Sequence, residues 1–276
     1  MRLALESPSG PSSPRPTIES HGSSAMTPNL LILGGTTEAT LLSQRLYEEG
    51  LQGTVSLAGR VERPRDLPLP MRVGGFGGAV GLADYLRSQS TTHLVDATHP
   101  FAAQISASAV EASQRSGVPL IALTRPSWVP ELGDTWTYVK DVDAAVHALA
   151  GPARRVMLAI GRQNLKAFAA QAQHTYLLRT IDPLAEPAPF PHYKAIVARG
   201  PFDEASDLDL MRTHNVDVVV SKDAGGEAAY PKIAAARRLG LPVVMIERPP
   251  VPQRREVHTM EAVLDWVSHP KADLGV

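Results

Sequence analysis

The chain of 276 residues has no cysteine. That absence excludes a disulfide framework, thiolate zinc sites, iron–sulfur clusters and a cysteine nucleophile. No apolar run approaches the ~20 residues that a bilayer span needs, so no membrane partner is expected. A charge excess is missing too. With a formal net charge of −1, no global field draws in nucleic acid or an anionic surface. The nine histidines show neither H-x-H nor H-E-x-x-H spacing, so no metal site is expected. There is no G-x-S-x-G elbow of a hydrolase. None of the six tyrosines has lysine four residues on, as a short-chain dehydrogenase would require.

What is present suits a globular protein. Hydrophobic residues make up 43% of the chain, enough for a buried core. Residues 1–25 differ, with thirteen Pro, Ser or Gly among them. Such a segment buries too little apolar surface to offset the entropy of ordering, and a disordered tail is expected. A start at Met26 is the other reading, because a strand-like run follows directly.

From Leu30 the pattern alternates between short apolar runs and helical stretches. "NLLILG", "GTVSLAG", "MRVGGF", "THLVDAT" and "PLIALTRP" read as strands, with helices over "TEATLLSQRLYEEG", "AVGLADYLRSQS" and "FAAQISASAVEASQRSG". Short loops between β and α segments imply a parallel sheet flanked by helices. "SWVPELGDTW" breaks the rhythm. A second series follows, with strands at "TWTYVKD", "RRVMLAIG", "TYLLRTI", "YKAIVARG", "VDVVVSKD" and "LPVVMIERP", a helix at "RQNLKAFAAQA" and a closing helix at "TMEAVLDWVSH". The reading is α/β, two domains each with a mostly parallel sheet, over residues 26–127 and 128–276.

In such sheets, ligands bind beyond the carboxyl ends of the strands. Gly34 and Gly35 end the first strand, and Thr36, Thr37 and Glu38 open the helix. Glycines permit close backbone approach, and hydroxyls with first-turn amides hold phosphate oxygens. The spacing is not G-x-G-x-x-G, so the alternative is a plain glycine turn with a threonine N-cap. The second strand ends in Arg60, 25 residues after Gly35, with Arg63 and Arg65 beyond it and no acid at its tip. Arginine there accommodates a 2′-phosphate, which points to NADP(H) over NAD(H). Gly74 and Gly75 open a glycine-rich loop, a backbone rest for a flat ligand or a flexible turn. "DATHPFA" places Asp96, Thr98 and His99 at the end of a buried strand, where Asp96 or His99 is a candidate for proton transfer. The bland reading of His99 is a helix-entry residue before Pro100 at the first helical position.

"LILGGTTEA", "DATHPFA", "SKDAGG" and "KIAAARRLGLPVVMIERP", in this order, resemble the precorrin-6A reductase family of cobalamin biosynthesis, from about Leu30 to about Trp266. The resemblance implies two Rossmann-like domains. It implies reduction of one double bond of the precorrin-6A macrocycle by NADPH, giving precorrin-6B, with cofactor and substrate in the cleft between the domains. The family's glycine–threonine turn maps onto Gly34, Gly35, Thr36 and Glu38. Its lysine–glycine element maps onto Ser221, Lys222, Gly225, Gly226 and Lys232. Where the family often carries a hydroxyl before that glycine pair, this chain has Ala224.

A substrate with many carboxylates fits cations at strand ends. Lys222 and Lys232 are joined by Arg125, Arg162, Arg179, Arg199 and Arg248 at or just past predicted strand ends. Of these, Lys222, Lys232 and Arg199, with Gly225 and Gly226, are the expected substrate contacts. A cobalt-containing form of the substrate, or NADP(H) sensing without chemistry, are the alternative functions. A cytoplasmic monomer is expected.

Overall fold

The structure is a computed structural model, and it describes residues 27–58, 67–180, 183–198, 200 and 202–269. The tail 1–25, Arg60 and Arg199 lie outside the described residues.

The first sheet begins with β1 (Asn29–Leu33), α1 (Thr37–Glu48), β2 (Gln52–Leu57), β3 (Met71–Val73), α2 (Gly78–Ser88), β4 (His93–Asp96), α3 (Ala103–Ser116) and β5 (Leu120–Leu123). The second follows with β6 (Thr135–Val139), α4 (Val142–Ala148), β7 (Arg155–Ala159), a 3-10 helix (Arg162–Gln171), β8 (Thr175–Thr180), β9 (Tyr193–Val197), α5 (Glu204–Thr213), β10 (Val218–Lys222), α6 (Pro231–Arg238) and β11 (Pro242–Ile246). The chain closes with β12 (Glu256–Val257) and α7 (Met260–Ser268).

Sheet order is β12-β5-β4-β1-β2-β3 in one half and β6-β11-β10-β7-β8-β9 in the other. Every strand pairing is parallel. The two-sheet α/β reading therefore holds. Parallel strands covered on both faces need continuous apolar runs, and β1 is one. Leu30 and Ile32 point into one core with α1 and α7; Leu31 and Leu33 point into another with α2 and α3. In β10, Val218 and Val220 face one layer and Val219 the other. Strand alternation thus makes four core layers from two sheets.

Two expectations need correction. The second unit, read as 128–276, runs too far. β12 pairs with β5 through Glu256↔Ala122 and Val257↔Leu123, and Val263, Trp266 and Val267 of α7 are buried with Leu30 and Ile32. The chain therefore returns to the first sheet after β11. The helix at "RQNLKAFAAQA" is a 3-10 helix. It follows Gly161 at φ 79° and buries Leu165 and Phe168, three residues apart, which matches three residues per turn.

Candidate functional site

Each sheet changes direction at its middle, between β1 and β4 and between β7 and β10. This is the switch point where such folds leave a crevice. The carboxyl ends of the two sheets meet there. Arg125, just past β5, approaches the Gly225 carbonyl beyond β10 at 3.5 Å. Lys222 of β10 places its ammonium 5.0 Å from the Phe101 ring centroid. Phe101 itself packs against the core of the second unit.

The glycine–threonine turn is tight on one side and open on the other. A Cβ on Gly34 would lie 3.0 Å from Val55 Cγ1, so a side chain there would force Val55 to shift. Gly35 has φ +114°, and a Cβ there would meet nothing within 4 Å. The open space lies before the first turn of α1, whose leading amides have no intrahelical partner. Thr36 caps that helix, accepting from the Ala39 amide at 3.2 Å, and donates its hydroxyl to the Ala97 carbonyl at 2.7 Å. Its side chain is thus committed to joining the turn to the next loop. Thr37, the first residue of α1, is exposed. Glu38 would repel phosphate, but Arg125 binds its carboxylate at 2.7 Å. The turn and helix terminus fit the pyrophosphate of a dinucleotide.

Arg72 of β3, which the sequence reading missed, organises the neighbouring loop. It donates to Ser56 Oγ at 2.8 Å and to the Gly74 and Gly75 carbonyls at 3.0 and 3.2 Å. Its guanidinium lies 3.8 Å from the Phe76 centroid. Gly74, at φ 121°, allows this curl.

The loop after β4 differs from expectation. Asp96 is buried. Its Oδ1 accepts from the Thr98 amide at 3.1 Å and the Thr98 hydroxyl at 2.6 Å. Its Oδ2 accepts from Ser106 Oγ at 2.6 Å and from Arg254. Both oxygens of this buried carboxylate are thus occupied by donors of its own protein, which ties the loop to α3 and to Arg254. The Thr98 hydroxyl is committed in the same way. α3 starts at Ala103, so Pro100 belongs to a turn closed by Ala102 N donating to the His99 carbonyl at 2.7 Å.

His99 remains available. Its Nδ1 accepts from the Phe101 amide at 3.2 Å. Burial first, then the charges of Arg125, Lys222, Arg248 and Lys232, push its pKa down to about 4. It is a neutral imidazole near pH 7, inside a ring of cations drawn from both units.

The loop after β10 is tightly closed. A Cβ on Gly225 would meet the Pro126 carbonyl at 2.3 Å, and one on Gly226 would meet Arg125 Cδ at 2.6 Å. Trp128 donates its indole N–H to the Gly226 carbonyl at 2.9 Å and its amide to Asp223 at 3.1 Å. Arg248 donates to the Asp223 carbonyl at 3.0 Å and the Arg125 carbonyl at 2.7 Å. Beside this closure an open hollow of about 430 Å³ is lined by Trp128, Val129, Gly226 and Tyr230, among others. Lys232 is buried, with its ammonium donating to the Ala229 carbonyl and 4.8 Å from the Trp128 centroid. Burial lowers its pKa to about 7. It supports the loop from beneath rather than standing open to a ligand. Arg179 is likewise spent, on Asp207 and on the Phe202 ring.

A second groove, about 410 Å³ and bordered by Tyr47 and Tyr85, lies at the amino ends of the first sheet, away from these loops. Among the described residues no cluster of three metal-ligating side chains occurs, and no helix is long and apolar enough to cross a membrane.

Two parallel sheets with a dinucleotide-type strand order, meeting at their carboxyl ends over a glycine turn, define a two-domain Rossmann-like protein. The family model described as precorrin-6x reductase CbiJ/CobK matches residues 29–268, and the chain belongs to that family. It is 50% identical to a precorrin-6A reductase of Rhodobacter capsulatus, covering 87% of this chain and 95% of that one. It is 38% identical to a precorrin-6A reductase of Mycobacterium tuberculosis, over 81% and 90%. A solved structure titled CobK precorrin-6A reductase superposes with a TM-score of 0.86 at 49% identity, covering 89% of this chain and 98% of that one.

Proposed function

We propose that the chain reduces one double bond of the precorrin-6A macrocycle with NADPH, giving precorrin-6B in cobalamin biosynthesis. The observation that carries this reading is the convergence at one crevice of an open glycine turn from the first unit and a cationic ring from both. When bound, the reduced nicotinamide supplies the hydride. Gly34, Gly35, Thr37 and the first turn of α1 would hold the pyrophosphate. Arg72, stacked beside β2, and Arg60, next after β2 in sequence, supply cations for the 2′-phosphate.

Arg125, Lys222 and Arg248 then attract the carboxylates of the tetrapyrrole. Lys232 adds to the positive field from below, and Arg199 is the further candidate contact. Burial and, after it, the neighbouring cations hold His99 neutral; bound carboxylates offset the cations and so raise its proton affinity when substrate is present. His99 is therefore placed to deliver a proton beside the reduced bond, and Asp96 keeps its loop in position.

Identity favours the cobalt-free substrate. A cobalt-precorrin-6A reductase of Priestia megaterium is 25% identical, half the value for the Rhodobacter protein. The test mixes purified protein, NADPH and precorrin-6A and follows absorbance. Equimolar loss of NADPH and of the substrate's visible bands is expected. Turnover of the cobalt form alone would move the pathway assignment, and turnover of neither would overturn the reading.

A further inference from the structure

Arg254 lies in no helix or strand, on the segment by which the chain returns from the second unit to the first. Its side chain is 9% exposed, and it pairs with Asp96, whose side chain is 1% exposed. The two are 158 residues apart in sequence. A buried ion pair is weak evidence for stability, because well-packed apolar residues in its place are often neutral or better. Docking of the returning strand does not require it either. Ala122 donates to the Arg255 carbonyl at 2.9 Å, Thr124 donates to the Val257 carbonyl at 3.0 Å, and the His258 ring bonds the Thr124 carbonyl at 2.9 Å.

Arg254 also reaches the exposed Glu256 two residues on at 3.3 Å, but its buried partner, Asp96, lies at the base of the loop Asp96–Ala102. That loop is held at three other points: Ser106 from α3, Thr36 from the glycine turn, and the second core through Phe101. We propose that Arg254 is a positioning residue for the reaction, fixing Asp96 and through it the loop that carries His99 into the crevice. The proposal rests on the reading that this loop lines the site of reduction.

The test compares wild type with Arg254→Lys and with the double variant Asp96→Asn/Arg254→Gln, which removes both charges and leaves none buried alone. Hydrogen exchange of the Thr98, Phe101 and Ala102 amides is read against that of β10, with steady-state kinetics and NADPH affinity alongside. In the double variant the loop amides should exchange at least tenfold faster while β10 is unchanged. Its kcat should fall tenfold or more with NADPH Kd within threefold, and Arg254→Lys should recover part of both losses. Unchanged loop exchange in a folded double variant would overturn the proposal. So would a rise shared equally by β10, or a loosened loop with normal kcat. Exchange needs no substrate, so a wild-type protein inactive on tetrapyrrole would sink the proposed function while the tether is still judged on its own.

Discussion

Gly34 and Gly35 end a strand of the first sheet, and Gly225 and Gly226 follow a strand of the second, but the space around each pair differs. At Gly35 an added Cβ would meet nothing within 4 Å, whereas at Gly225 it would run into a carbonyl at 2.3 Å. The first pair leaves room for something outside the chain. The second lets the chain close upon itself, bringing Arg125 and Arg248 together where the two units join. A glycine pair at a strand end thus reports close approach, and only its surroundings say whether ligand or protein does the approaching.

Substitution at Gly225 tests this contrast most severely. Gly225→Ala combines a left-handed φ with a backbone clash and should cost about 3 kcal/mol or more. Thermal denaturation should show a drop of roughly 6–12 °C for a chain of this size. Gly35→Ala should cost about 1 kcal/mol of strain but weaken NADPH binding roughly tenfold or more, as titration would show. Equal melting losses at both positions would break the comparison.

Acid should expose the junction next. His99 has a folded pKa of about 4 against an ordinary 6.5. Between those values the unfolded chain binds the proton and the folded one does not, so stability rises with pH across that window. The contribution is complete above pH 6.5 and lost as pH falls toward 4, a change of roughly 3 kcal/mol. Unfolding of His99→Asn, followed over the same range, should be less pH-dependent by that amount. An identical profile would mean that His99 is not shielded.

Charge at the junction gives a smaller effect. Lys222→Ala should raise the tetrapyrrole KM about three- to tenfold without moving NADPH affinity, and added salt should do the same to wild type. A shift in NADPH affinity instead would place Lys222 on the cofactor side. The two threonines of the first turn provide the finest discrimination. Thr36→Val loses a cap and should cost about 1 kcal/mol in melting experiments. Thr37→Val should leave stability within about 0.5 kcal/mol and act only on NADPH binding.

The fold was largely legible because the central parallel strands, buried on both faces, need apolar runs, and the sequence reading placed a strand at each of β1 to β11 between polar, helix-forming stretches. β12 was not, since two residues, Glu256 and Val257, carry no pattern. The glycine turn was legible from glycine and hydroxyl at a strand end. The partners of Asp96 were not legible, because an Asp-Thr-His string does not reveal whether its carboxylate faces solvent or a distant arginine. Arg72 and Arg254 were missed because each acts through contacts made by folding. The hydrogen bond of Arg72 to Ser56 spans 16 residues, and Arg254 reaches across 158.

The return of β12 to β5 has an architectural consequence. The second unit is an insertion within the first, like a parenthesis opened after Leu123 and closed before Glu256, and its two boundaries lie side by side because those strands are hydrogen-bonded neighbours. β12 alone joins its sheet after a crossing, trailing the other strands of the first sheet, whereas β6 is the first strand of the inserted unit. A single proteolytic nick in either crossing would leave the halves tied by the other. Excision of the whole insertion is the cut that respects the molecule's seams, and because β5 and β12 run parallel, Leu123 and Glu256 would have to be rejoined by a crossover linker of about a dozen residues rather than a turn.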